Sequence, residues 1–337
     1  TQSTWGILRS FWVCELEREM CSVGKHPLFS FGVISDVQYA DIPDGQSFYG
    51  VPRYYRHSLQ LLERAVDRWN QHGNLMFVMN LGDIVAGKCP KAKSLASVKR
   101  VVGTFQKFNR VTHHLIGNHC LYNLPRNELL PLLNINTDDH RGYYDFSPVP
   151  QFRIVALDGY DISAIGWPRS DPRTTQAEEF LEKWNPNLDK NSKTGMVGLE
   201  RRFVKYNGAV GREQLIWLEG LLKDATRQGQ QVAVCCHLPM DPGAAHLGSL
   251  LWNYDEVMRV IHRFDCVKVC LSGHDHVGRH CVDSHGVHRR SLEAALECPP
   301  GTDASGYVDV YDDHMELLGF GRMQSTLMPF FSKSNSN

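Results

Sequence analysis

Four apolar runs rich in β-branched and aromatic residues each pass directly into a polar cluster. FSFGVIS (29–35) leads into Asp36, Val37 and Gln38, and LMFVMNL (75–81) into Gly82 and Asp83. VTHHLI (111–116) leads into Gly117, Asn118 and His119, and QVAVCC (231–236) into His237. Runs of this length and composition predict buried strands. A shorter strand pattern, VKVCLS (267–272), leads in the same way into Gly273, His274, Asp275 and His276. Between these runs, YYRHSLQLLERAVDRWNQHG (54–73) and SLASVKRVVGTFQKF (94–108) carry apolar residues at helical spacing, and the first stops at Gly73. Strands alternating with helices predict α/β layers around buried sheets, and such sheets gather ligands where loops leave the carboxyl ends of their strands.

A further strand pattern, FRIVALD (152–158), is followed by a stretch rich in Pro, Asn, Lys and Arg, after which helical patterning resumes at GREQLIWLEGLL (211–222). Residues 159–210 therefore read as an insertion or cap-like loop within one domain spanning 1–337, with its core at about 28–323. GVHRRSLEAALE, SGYVDVYDD and MELLGFGR read as strands and turns completing a second sheet, and SKSNSN as a polar tail.

The 337 residues are 42% hydrophobic, enough for a sizeable core. A formal net charge of -1 leaves no basic field to gather nucleic acid or an anionic membrane. The apolar residues near 5–14 are broken by Arg9 and by the charged run at 15–19 before they reach spanning length, so a helix packed on the domain is expected there. The 10 cysteines are scattered without C-x-x-C pairs, which reads as reduced, mostly buried thiols in a cytoplasmic protein. The partner expected is a small-molecule nucleotide, with no nucleic acid, no membrane and a monomeric chain.

Each polar cluster alone has a plainer reading: a turn for Asp36 or Asp83, an Asx-turn for Asn118, a core histidine for His237. Asp36 and Gln38 bracket one residue, so at an extended strand end they point to one side, and His274 and His276 share that spacing. Five such clusters at five strand ends, all carrying oxygen or imidazole donors, predict a metal site. No cysteine belongs to the set, which disfavours a closed structural zinc and favours Mn²⁺, Fe²⁺, Zn²⁺ or Mg²⁺ with positions open to water and substrate.

The order of these blocks resembles the calcineurin-like metallophosphoesterase superfamily, whose D-x-H, G-D, G-N-H-[DE], H and G-H-x-H match DVQ, GD, GNHC, His237 and GHDH here. Gln38 in place of the first-block histidine, together with FSFGVISDVQYAD, YYRHSL and AVCCHLP with a downstream WNY, is similar to its manganese-dependent ADP-ribose/CDP-alcohol diphosphatase branch. The resemblance implies a four-layer α/β-sandwich, two mixed β-sheets flanked by helices, and two divalent metal ions with Mn²⁺ preferred. It implies one ion on Asp36, Gln38 and His276, the other on Asn118, His237 and His274, and Asp83 bridging. It also implies hydrolysis of ADP-ribose and CDP-alcohols such as CDP-choline to a nucleoside monophosphate and a phosphorylated partner. Two cations would neutralise phosphate oxygens and lower the pKa of the attacking water.

His119, beside Asn118, is the candidate catalytic residue, stabilising or protonating the leaving oxygen. Phe48, Tyr49, Arg53 and Arg56, in DGQSFYGVPRYYRH, suit stacking of a base and contact with phosphate or ribose. Cys120 stands where the superfamily has an acidic residue, so the group that orients His119 must come from elsewhere. Asp275 and Val277 alter the rim and not the ligands. The alternatives are a cyclic-nucleotide or other phosphodiesterase or phosphomonoesterase on the same fold, or a metal-poor scaffold.

Overall fold

The computed structural model describes residues 26–135 and 138–331. The apolar stretch near 5–14 and the SKSNSN tail lie outside the described residues.

Two six-stranded mixed sheets lie face to face. Across the first run Thr326–Pro329, His314–Gly321, Ala304–Val310, Phe29–Ile34, Leu75–Asn80 and Val111–His114, the last three mutually parallel. Across the second run Val277–Val282, His288–Glu293, Val267–Ser272, Gln231–Cys236, Phe152–Leu157 and Tyr144–Val149, with four parallel strands at its centre. Side chains alternate by strand geometry. Phe29, Phe31 and Val33 therefore face inward and meet Phe152, Ile154, Ala233 and Val269 of the opposite sheet. Full burial of each Phe, Ile or Val among them contributes about 1.5–3 kcal/mol.

The outer faces are covered by helices. His57–His72 buries Leu59, Leu62, Val66 and Trp69 at helical spacing and ends at Gly73, whose φ of 78° is left-handed. It packs on Ser94–Phe105, while Arg212–Arg227 and Tyr254–Ile261 pack together against the second sheet. The result is the four-layer sandwich that the resemblance implied. The first helix starts at His57, later than the expected 54, because Pro52–Arg53 pairs with Gly45–Gln46 as a small two-stranded sheet.

Residues 159–210, read from sequence as loop, contain the helix Pro172–Trp184. Its apolar side is narrow, with only Thr174, Ala177 and Leu181 buried, which weakens the periodic signal. Leu181, Met196 and Phe203 of the segment form an apolar cluster with Trp252, which lies outside it. It is anchored to the sheets by Arg126, which meets Asp158 at 2.6 Å and donates to the Tyr160 carbonyl.

Among the described residues every cysteine is a free thiol, and all but Cys281 are buried. No helix among them is long and apolar enough to cross a membrane.

Candidate metal centre

Asp36 follows the strand Phe29–Ile34, Asp83 follows Leu75–Asn80, and Asn118 and His119 follow Val111–His114. His237 follows Gln231–Cys236, and His274 and His276 follow Val267–Ser272, so both sheets contribute. The loops are tied to one another: the Gln38 N–H donates to the Asp83 carbonyl at 2.8 Å, Asp36 to Gly82 at 3.1 Å and Gly273 to His237 at 3.0 Å. Asp36, Gln38, Asp83, His274 and His276 all adopt left-handed backbone, with φ between 42° and 67°. For non-glycine residues this costs about 1–3 kcal/mol each, a strain that concentrates at functional sites.

The extended strand end expected for Asp36 and Gln38 is replaced by left-handed backbone. Asp36 and Gln38 do meet, with 3.2 Å between Oδ1 and Nε2, but through two left-handed residues and not through an extended strand end. The glycines of the blocks leave room for the carboxylates. A Cβ at Gly117 would overlap the Asp83 carboxylate, and one at Gly273 would overlap Ser35 and come within 2.7 Å of Asp36 Oδ2.

The side chains form two groups that share Asp83. In the first, His276 Nε2 lies 3.1 Å from Asp36 Oδ1 and 3.0 Å from Gln38 Nε2, and Gln38 Nε2 lies 3.4 Å from Asp83 Oδ2. In the second, Asp83 Oδ2 is 3.4 Å from His237 Nε2, and donor atoms of Asp83, His237 and His274 all fall within 4.8 Å of one another. Asn118 borders the second group, its Oδ1 accepting from the Tyr160 hydroxyl at 3.2 Å, with the Tyr160 ring 6.1 Å from that of His237.

Each imidazole is fixed by its far nitrogen. His237 Nδ1 donates to the Leu81 carbonyl at 2.7 Å, His276 Nδ1 to Glu297 at 2.8 Å and His274 Nε2 to the Asn207 side-chain oxygen at 2.9 Å. In the neutral ring this leaves the lone pair of the opposite nitrogen to an electrophile, as in metal-binding histidines.

Two buried atoms, His237 Nε2 and Gln38 Oε1, have no hydrogen-bond partner. The Gln38 amide nitrogen sits between two carboxylates, where positive charge is favoured, and a half-turn of the amide presents Oε1 to the same groups. Burial opposes ionisation of Asp36 and Asp83, but the charges of His276 and His237 outweigh it and hold both carboxyls below their usual range. Burial likewise pushes His276 down, while Asp36 and Glu297 carry it up to about 10. Protons thus occupy a place that divalent cations suit, and metal binding would displace them. Two buried carboxylates, two amides and three oriented imidazoles fit such ions. The fully buried Cys120 does not join them, its thiol pushed up to about 12 by burial and then by Asp83.

His119 Nδ1 accepts from the Gly87 N–H at 2.6 Å, and the His119 backbone N–H donates to Asp83 Oδ1 at 2.8 Å. Gly87 therefore does the orienting that Cys120 cannot, and it places the ring proton on Nε2. Burial, with Arg53 adding repulsion against the pull of Asp83, lowers His119 to about 4. Arg53 is thus within electrostatic reach of His119. Arg56 is engaged at the surface with Asp41 at 2.7 Å, while Phe48 is 96% exposed and set edge-on to the exposed Tyr49. Glu297, Asn207, Tyr160 and Gly87 were not found from sequence, since each reaches the cluster only through tertiary contact.

The profile of the calcineurin-like phosphoesterase family matches residues 29–278, a span that takes in every side chain of the two groups. The chain belongs to this family. Among the relatives of this calcineurin-like phosphoesterase is the manganese-dependent ADP-ribose/CDP-alcohol diphosphatase of Arabidopsis thaliana, 64% identical over 307 residues, covering 91% of this chain and 99% of the relative. The Homo sapiens protein of the same name is 37% identical, covering 93% and 96%. Among solved structures, a dimetal phosphatase from Danio rerio superposes with a TM-score of 0.87 at 37% identity, covering 90% of this phosphoesterase and 100% of that chain.

Proposed function

We propose that this phosphoesterase is a manganese-dependent hydrolase of nucleoside-diphosphate derivatives, splitting the phosphoanhydride of ADP-ribose and of CDP-alcohols such as CDP-choline. The products are a nucleoside monophosphate and a phosphorylated partner. The names of its relatives support this, and the observation that carries it is Gln38. An amide stands at the core of the site, 3.0 Å from His276 and 3.2 Å from Asp36, where the wider family's first block has histidine. Replacing imidazole nitrogen by amide oxygen favours a harder ion such as Mn²⁺.

Asp36, Gln38 and His276 would hold one ion and Asn118, His237 and His274 the other, with Asp83 between them. Bound there, two divalent cations neutralise the phosphate oxygens and acidify a water as nucleophile. The chain's own groups do the rest. His119, its Nδ1 engaged by Gly87, donates a hydrogen bond from Nε2 to the leaving phosphate oxygen and stabilises the charge that grows there. Arg53, whose buried Nε has no partner, contributes positive charge beside it. Phe48 and Tyr49 supply exposed aromatic faces for a base, and Arg56 an outer cation.

Product analysis with Mn²⁺ tests the reading. ADP-ribose is expected to give AMP and ribose 5-phosphate. Release of inorganic phosphate, or a preference for cyclic AMP or a phosphomonoester, would overturn it.

A further inference from the structure

Lys193 belongs to the 159–210 segment, yet it meets the loop that carries Tyr49. Its ammonium lies 5.5 Å from the centre of the Tyr49 ring and 5.6 Å from that of Tyr206, so that both phenols favour its charge. Its stem passes over Gly248, where a Cβ would come within 2.9 Å of Nζ and 3.0 Å of Cδ, so the bare backbone leaves the lysine its course. Among the described residues no carboxylate pairs with it.

Tyr206 joins this cation to the metal-ligand cluster. Its ring centre is 6.0 Å from that of His274, and its neighbour Asn207 holds His274 Nε2. Tyr122, its ring centre 5.6 Å from that of His119, is close enough to Tyr206 for the two phenols to influence each other. Tyr122, Tyr206 and Lys193 thus form a wall leading outward from His119 and ending in a partly buried ammonium with only neutral partners. A charge so placed is stabilised when an anion completes its surroundings, and a lysine ammonium serves phosphate as a point charge.

We propose that Lys193, held between Tyr49 and Tyr206, binds the phosphate adjoining the one attacked and so selects diphosphates over esters with a single phosphate. This rests on the diphosphatase reading above.

The test compares wild type with Lys193→Met, which keeps the stem, and Lys193→Arg, which keeps the charge, on ADP-ribose and on bis(4-nitrophenyl) phosphate, each with Mn²⁺. Removing one charge-assisted contact is expected to raise KM for ADP-ribose about tenfold or more, with kcat within about threefold. Cleavage of the single-phosphate diester should be unchanged, and Lys193→Arg should recover most of the loss. Parallel losses on both substrates, or an unchanged KM, would overturn the proposal. A second readout is inhibition of diester cleavage by α,β-methylene-ADP against AMP. Lys193→Met should weaken only the former, and equal inhibition of wild type and variant by both would contradict the assignment. If wild type cleaves the diester and not ADP-ribose, the diphosphatase reading fails by itself, and the inhibitor pair still decides the role of the lysine.

Discussion

Behind His276 stands a carboxylate; behind His237 and His274 stand a carbonyl and an amide. Glu297, itself paired with Arg322 at 2.9 Å, accepts from His276, and Asp36 accepts from Ser35 at 2.5 Å and from the His274 backbone N–H at 3.0 Å. On the other side Leu81, Asn207 and Tyr160 supply only neutral partners, and the one anion is the shared Asp83. A carboxylate behind a histidine raises its basicity and stiffens its orientation. On the proposed ligand assignment, the Asp36 half is therefore expected to hold its cation tightly, and the Asn118 half to hold one more loosely and exchange it sooner.

The largest effect is expected at the carboxylate common to both halves. Asp83→Asn should lower kcat/KM about a thousandfold or more, because both ions and their joint action on water and phosphate depend on it. Metal analysis of the purified variant should show both ions depleted; loss of one alone would break the description of Asp83 as shared. Next, Glu297→Gln should weaken Mn²⁺ binding at one ion by about 10–100-fold, with Asn207→Ala at the lower end of that range. Mn²⁺ titration followed by electron paramagnetic resonance checks this, and equal losses would erase the asymmetry. Smaller again, Gln38→His should raise the Zn²⁺-to-Mn²⁺ activity ratio about tenfold, since nitrogen replaces oxygen in the Asp36 half.

The smallest effect concerns stability behind the Asn118 half. On the strand that leads there, burial holds His113 at about 4, and burial reinforced by His113 holds His114 at about 3. Both stay neutral when folded and take up protons when unfolded, so their contribution is fully present above about pH 6.5 and falls as pH drops below it, levelling near their folded values. Urea midpoints should decline over that window, and His114→Gln, at a position where Asn80 already meets the ring nitrogen at 3.0 Å, should flatten the decline.

The proposed ligands are legible because each is announced locally, by an apolar strand and, in three blocks, by a glycine. Asp83, Asn118 and His274 each follow a glycine directly, and the structure gives the reason in the Asp83 carboxylate at Gly117 and in Ser35 and Asp36 at Gly273. The left-handed backbone of Asp36, Gln38 and His276 carried no such sign, and the extended geometry expected for the first pair was not found. The groups that orient the imidazoles were hidden for another reason. Asn207 and Glu297 lie 67 and 21 residues from the histidines they hold, and nothing in their neighbours marks the pairing. The helix Pro172–Trp184 did carry a readable start, an Asp171 cap followed by Pro172 at its first turn, which its weak apolar face obscured.

Stepwise addition of Mn²⁺ to the metal-stripped chain, with bound metal and ADP-ribose cleavage followed together, tests the central claim most directly. The structure leads us to expect two ions per chain, the first tight and the second weaker, with AMP and ribose 5-phosphate formed as the second binds and a clearly lower rate when Zn²⁺ replaces Mn²⁺. Binding of one ion or none, or equal rates with the two metals, would contradict it.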